Sequence, residues 1–169
     1  MAEALARLKS EKLVRHIGIT GLGDRECLLE VIDSGTFETG QTPFNIVSSW
    51  NGDNSGDIIA RCASRHMGVF AIRIFAGGAL AGRPPSAHTL NTRFFPLGLY
   101  QRDTAAAEKM TALLSPEVSL KEAAVRFVLS HREVSSALVS FSEADQIDEV
   151  GRSAAKGGLP SHLMEKPGA

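Results

Sequence analysis

Apolar and polar positions in this chain switch repeatedly between a helical and a strand period, and the switching predicts an α/β protein. Residues 2–13 set Leu5, Leu8 and Leu13 among charges at near-helical spacing, an amphipathic helix. Residues 15–20 (RHIGIT) read as a short strand ending at Gly21 and Gly23. Asp24 suits the N-cap of a helix through Asp33, with Cys27, Leu28, Val31 and Ile32 on one face and Gly35 as its stop. Residues 42–48 contain the next strand, PFNIVS, with Pro43 near its start. Turn chemistry over 51–56 leads to a helix over 57–66 that turns Ile58, Ile59, Cys62 and Ala63 inward, and residues 69–75 form the third strand. The stretch 76–102, with RPPS, Phe94, Phe95 and Pro96, is irregular and predicts a long loop. Helices follow over 103–114 and 120–131. The second opens on a capping box, Ser119 with Glu122, and buries Ala123, Ala124, Phe127 and Val128. Residues 134–140 form the fourth strand, Ser142 with Asp145 caps a last helix to about Ala155, and the tail from Gly157 reads as frayed.

Strand starts near residues 15, 43 and 69 lie about one β/α unit apart, which predicts parallel strands joined by right-handed crossovers. An open doubly wound sheet and part of a (β/α)8 barrel both satisfy this order, and both bind ligands at the C-terminal strand ends. The most informative segment is 69–82, VFAIRIFAGGALAG. Its apolar run, broken only by Arg73, has the pattern of a strand buried on both faces. It opens into Gly77, Gly78 and Gly82, a loop whose backbone can approach a ligand and turn N–H groups toward an anion. Neither GxGxxG nor GxxxxGK[ST] occurs, so the ordinary dinucleotide-fold and P-loop readings lose support.

Composition narrows the function classes. The 169 residues suffice for one domain with a core. Charged residues make up 22% and the net charge is -1, so bulk electrostatics point to no nucleic acid and no membrane. No apolar run approaches the ~20 residues of a membrane span, and the charged N-terminus lacks a signal core, so a cytoplasmic protein is expected. Cys27 and Cys62 lack CxxC or Cys/His spacing and read as buried free thiols, with no metal site. His16 begins a strand at the end away from the active face, and His66 and His131 close helices, where an imidazolium suits the dipole. His88, on the long loop, is a weaker candidate for substrate contact. Trp50 and Asn51 are rim positions for which turn and packing roles are the simpler account.

Four motifs in order carry a family resemblance. LARLKSEKLVRHIGITG resembles the entry to the fifth strand of aldo-keto reductases, the NAD(P)-dependent oxidoreductases built as (β/α)8 barrels. GQTPFN is similar to the family's sixth-strand motif and VFAIRIFAGGALAG to its seventh. SLKEAAVRFVLSHREVSSALVSFSEADQIDEV is similar to the seventh helix, eighth strand and eighth helix. The chain looks closest to the aldose- and galactose-dehydrogenase-like branch. The resemblance implies the second half of a TIM barrel, four parallel strands with flanking helices, over residues 1–160, with 161–169 a frayed tail.

It also implies a cofactor site. Thr20 stands where the family has a Ser that contacts the nicotinamide carboxamide, with Gly21 in place of the usual neighbouring Asn. Gln41 stands at the position whose amide meets the same carboxamide, since Gln offers both a donor and an acceptor. Ile72 replaces an aromatic that often stacks on the nicotinamide ring. Arg73, Phe75, Ala76, Gly77 and Gly78 correspond to the loop that wraps the pyrophosphate, and Ser142, Gln146 and Glu149 to the adenosine end. NADP-binding members place Lys or Arg after the eighth strand, where this chain has Ser140 and Gln146, which tilts the expected cofactor toward NAD.

The family's catalytic Asp, Tyr, Lys and His come from its first four barrel units, and the chain begins in the helix before strand five, so no residue matches them. Tyr100, the single tyrosine, falls in the long loop. Two readings follow. The chain is an oxidoreductase fragment, truncated or split, whose completed form would act on an aldose, alcohol or carbonyl compound while the isolated chain is inactive. Alternatively it is a non-catalytic nucleotide-binding or interaction module that self-associates or pairs with an N-terminal half barrel.

Overall fold

A computed structural model describes residues 2–50, 52–53, 55–92, 97–114 and 118–164. Among these, four parallel strands form one sheet: β1 (Gly18–Thr20), β2 (Thr39–Pro43), β3 (Gly68–Ile72) and β4 (Ser136–Ala137), in spatial order β1-β2-β3-β4. The register sets Thr20 beside Gln41 and Gln41 beside Phe70, with Phe70 beside Ser136. Because spatial and chain order coincide, right-handed crossovers bring the helices that connect the strands to the same face of the sheet. Burial reports the same thing. Gly40, Thr42, Val69 and Ala71 are buried beneath the helices, whereas Thr39, Gln41, Pro43, Phe70 and Ile72 on the other face are half-buried. A doubly wound sheet would be covered on both faces; this one has the one-sided cover of a barrel wall.

The helices are α1 (Ala2–Ser10), α2 (Arg25–Asp33), α3 (Ile46–Trp50), α4 (Ser55–Ser64), α5 (Ala87–Asn91), α6 (Leu97–Leu113), α7 (Leu120–Leu129) and α8 (Ala144–Ala155). The core packs Ile32 of α2, Ile58, Ile59 and Cys62 of α4, and Ala123, Ala124, Phe127 and Val128 of α7 against the covered face. Asp24 caps α2 as expected, its carboxylate accepting from the N–H groups of Glu26 and Cys27 at 3.0 Å each. Those bonds hold the Asp24 carboxyl below the ordinary range.

Several expectations are corrected. Residues 44–48 are not strand. Asn45 Oδ1 accepts from the Ser48 N–H at 2.9 Å and caps α3, which buries Ile46 and Val47 from a helix; the ladder lies earlier, in the polar TGQTP. Pro43 therefore ends β2, where its missing N–H costs no ladder bond. In α2, Cys27 and Val31 face solvent, and Leu28, Leu29 and Ile32 pack inward. The stretch 76–102 is largely ordered, as a 3-10 turn over Ala76–Ala81, α5, and the start of α6 six residues earlier than expected. Phe94, Phe95 and Pro96 lie outside the described residues. Glu143, without a side-chain cap, starts α8; the Ser142 N–H donates instead to Gln146 Oε1 at 3.1 Å. The segment 157–164 is packed, with Leu159 and Leu163 in the core.

That packing depends on Glu122. Its Ser119 partner caps α7 in one direction, the Ser119 Oγ accepting from the Glu122 N–H at 3.2 Å, but the Glu122 carboxylate turns away from the cap. It accepts from Arg126 at 2.7 Å and from Lys156 at 2.6 Å, and Arg126 also donates to the carbonyls of Gly157 and Gly158. Burial raises the Glu122 pKa, but the hydrogen bonds from Lys156 and Arg126 outweigh it and hold it below the ordinary value. A depressed carboxyl pKa contributes stability above its unfolded-state value, and that contribution is lost as pH falls through the folded one. Glu122→Gln is therefore expected to cost about 1–3 kcal/mol at pH 7. It should also flatten the fall in melting temperature below about pH 4.5, measured by thermal unfolding from pH 7 to pH 3. Equal acid slopes in the two proteins would show that Glu122 does not carry this dependence.

Candidate functional site

The C-terminal ends of β2, β3 and β4 open into a cleft of about 680 Å³. Its walls come from four separated parts of the chain: Gln41; Ile72 to Phe75 with Gly77, Gly78, Ala81, Arg83, Ser86 and Thr89; Lys121; and Leu138 to Ser142 with Gln146, Glu149 and Val150. Of the residues expected at a cofactor site, Gln41, Arg73, Phe75, Gly77, Gly78, Ser142, Gln146 and Glu149 converge here. Thr20 sits beside Gln41 in the register and the Gly21 N–H donates to the Gln41 carbonyl at 2.6 Å, so both adjoin the cleft without lining it. Ala76 is fully buried in the core beneath the loop.

The loop after β3 has an unusual backbone. Arg73 (φ 56°), Ala76 (φ 49°), Gly77 (φ 69°), Gly78 (φ 104°) and Gly82 (φ 64°) all lie in the left-handed region. A non-glycine residue there is strained by roughly 1–2 kcal/mol, so Arg73 and Ala76 are held by their surroundings. The buried Asn45 side chain donates from Nδ2 to the Arg73 carbonyl at 3.2 Å. Inside the loop, the N–H groups of Gly78 and Leu80 both donate to the Phe75 carbonyl, at 2.9 and 3.2 Å, and the Arg83 N–H to Gly78 at 3.1 Å. These N–H groups are thus committed to the loop, and the positive charge at its ends comes from Arg73 and Arg83.

Arg73 is half-buried. Burial lowers its pKa, while the charge of Asp103 on α6 favours the cation and that of Arg102 opposes it. Arg83 is exposed and donates from Nη1 to Ser142 Oγ at 3.1 Å, linking the β3 loop to the segment after β4. Gln146 Nε2 donates to the same hydroxyl at 3.3 Å. Lys121, in the first turn of α7, pairs with Glu149 at 3.2 Å. A cleft with two guanidinium groups, an ammonium, hydroxyls and apolar walls suits an anion carrying flat apolar groups.

Arg83, Ser86, Thr89 and Lys121 are the polar lining residues that sequence reasoning missed. Arg83 directly follows Gly82 and could have been included in the strand-to-glycine segment; Lys121 has no local signal and is brought in by the packing of α7. Other candidates take structural roles. Trp50 Nε1 donates to the Met164 carbonyl at 3.3 Å, and His131 Nδ1 lies 2.9 Å from the Phe127 carbonyl with its ring edge-on to Phe44. His66 occupies a left-handed position (φ 57°) just after α4. The His88 side chain and Asn51 lie outside the described residues. Among the described residues no group of His, Cys, Asp and Glu could hold a metal, and no helix is long and apolar enough to cross a membrane.

Comparison with known proteins agrees with this geometry. The family model described as "Aldo/keto reductase family" matches residues 1–165. The chain superimposes on an aldo-keto reductase from Bacillus halodurans in its holo form with a TM-score of 0.72 at 17% identity, covering 96% of this chain and 52% of that one. The apo form of the same enzyme gives a TM-score of 0.70 at 18% identity, covering 96% and 53%. A search of curated proteins finds no match. The chain belongs to the aldo/keto reductase family and spans about half the length of these solved relatives. Its four-stranded sheet is half of the family's (β/α)8 barrel.

Strain in the loop is testable by adding single methyl groups. A Cβ at Gly78 would meet nothing closer than 3.7 Å, so the penalty of Gly78→Ala comes from its φ of 104° alone. It is expected to destabilise by about 1–3 kcal/mol. Gly98→Ala, in open space on α6, should stabilise by roughly 0.5–1 kcal/mol. Chemical denaturation of both variants checks the pair, and equal effects would contradict a strained loop.

Proposed function

We propose that this chain holds the phosphates and adenosine of a nicotinamide dinucleotide, as half of an aldo-keto reductase site. The observation that carries the reading is the convergence of Gln41, the β3 loop and the segment after β4 on one cleft. The donor set fits the cofactor. Gln41 offers a donor and an acceptor for a carboxamide, Arg73 stands beside the glycines where a pyrophosphate would lie, and Arg83, Ser142 and Gln146 supply guanidinium, hydroxyl and amide groups beyond them. The bound nicotinamide would supply hydride donor and acceptor chemistry toward an aldose, alcohol or carbonyl compound.

The 169 residues alone bind without turning over. Tyr100, the single tyrosine, is buried on α6 and its hydroxyl donates to the Arg83 carbonyl, so it is not placed as an acid in the cleft. The tilt toward NAD rests on the absence of Lys and Arg over residues 138–151, directly after β4. Arg83 reaches that region from the β3 loop, and a guanidinium there suits a ribose phosphate, which supports NADP. The uncovered sheet face and the edge strands β1 and β4 support a second element of the reading, pairing with a complementary half barrel or with another copy.

Titration of the purified chain with NAD and NADP at fixed salt tests the proposal, with size-exclusion mass measured alongside. NADP should bind more tightly than NAD, and Arg83→Gln should weaken NADP by about tenfold while changing NAD less. No binding of either dinucleotide would overturn the cofactor reading. Aldose oxidation by the chain, abolished by Gln41→Ala, would overturn the claim that it does not turn over.

A further inference from the structure

The buried stripe of α6 is Tyr100, Asp103, Ala107 and Met110, spaced three, four and three residues apart. Tyr100, Ala107 and Met110 join the core, while the Tyr100 hydroxyl and the Asp103 carboxylate are polar groups that act on the β3 loop. The Tyr100 hydroxyl donates to the carbonyl of Arg83, the last lining residue of that loop. Asp103 is only 3% exposed, an expensive place for a carboxylate unless cations face it. Arg102 meets it at 2.8 Å from the solvent side, with its own side chain half exposed. The charge of Asp103 also acts on Arg73, the first residue of the loop. The Arg73 side chain lies beside the glycines, its Nη2 3.3 Å from where a Cβ on Gly77 would lie. One helical turn of α6 therefore addresses both ends of a left-handed segment that its own sequence cannot hold.

We propose that Tyr100 and Asp103 are positioning residues for the cleft: α6 sets the spacing of Arg73 and Arg83 across the glycines, so that Arg73 faces the bound diphosphate and Arg83 the ribose phosphate beyond it. The ligand side of this inference rests on the dinucleotide reading; the positioning side does not. The charge of Asp103 favours the Arg73 cation, and the Tyr100 hydroxyl bonds the Arg83 backbone, leaving the Arg83 guanidinium directed to Ser142. Neither α6 residue lines the cleft.

Amide hydrogen exchange on the free chain, comparing wild type with Tyr100→Phe and Asp103→Asn, separates the two. Exchange of the amides over 77–83 is expected to rise about tenfold in Tyr100→Phe. Protection in β2, β3 and α7 should stay unchanged. Asp103→Asn should raise exchange from the Arg73 end. NADP affinity should fall about five- to twentyfold in Tyr100→Phe with its melting temperature preserved. Unchanged loop exchange in both variants would overturn the proposal, whether or not the wild type binds NADP. A uniform rise across the whole chain in the mild Tyr100→Phe variant would overturn it too, as the mark of a general stabilising role. A local rise in a protein that binds no dinucleotide would uphold the positioning and overturn the ligand reading alone.

Discussion

The structure turns on the left-handed backbone between Arg73 and Gly82. Five residues there take positive φ, two of them bearing side chains, and no local propensity sustains that arrangement. It persists because neighbours far apart in sequence hold it. Asn45 grips the Arg73 carbonyl, Ala76 is buried in the core, and the Tyr100 hydroxyl on α6 bonds the Arg83 carbonyl just past the loop. The result is a chain reversal directly above the end of β3, which leaves Gly77 and Gly78 at the cleft with Arg73 and Arg83 on either side. A flexible loop could present the same residues but would lose entropy on ordering them around a ligand.

The second constraint is topological. With strands in chain order and helices on one face, the C-terminal strand ends form one rim, where the loops after β3 and β4 meet. The opposite sheet face, carrying Gln41, Phe70 and Ile72, stays partly open. In a full barrel that face would be the packed interior. The same geometry thus yields a preformed cleft and a half-buried sheet face in a chain that spans about half the length of its solved relatives.

Much of this was legible in the sequence, and the misses share a cause. The α2 cap at Asp24, the inner face of α4 and the buried face of α7 follow from local patterns, and the structure keeps them. The run PFNIVS misleads because Ile46 and Val47 are apolar and β-branched yet enter the core from a helix that Asn45 caps. TGQTP looks like a turn and becomes strand because β1 and β3 pair with it on both sides. The fourth strand shrinks to Ser136–Ala137 by ladder, although Ser135 and Leu138 still donate backbone bonds to β3. Within the site, glycines and Gln41 carried a readable signal. Arg83 and Lys121 reach the segment after β4 only through packing among segments distant in sequence, which no local pattern encodes.

The central claim is that one preformed cleft, centred on this strained loop, receives the dinucleotide. The most direct measurement is an amide NMR titration of the isotope-labelled chain with NADP. The account predicts shifts concentrated at Gly77, Gly78, Arg83, Ser142 and Gln146, with the amides of α2 and α4 unmoved. Shifts confined to the open sheet face around Phe70, or none at saturating NADP, would contradict it.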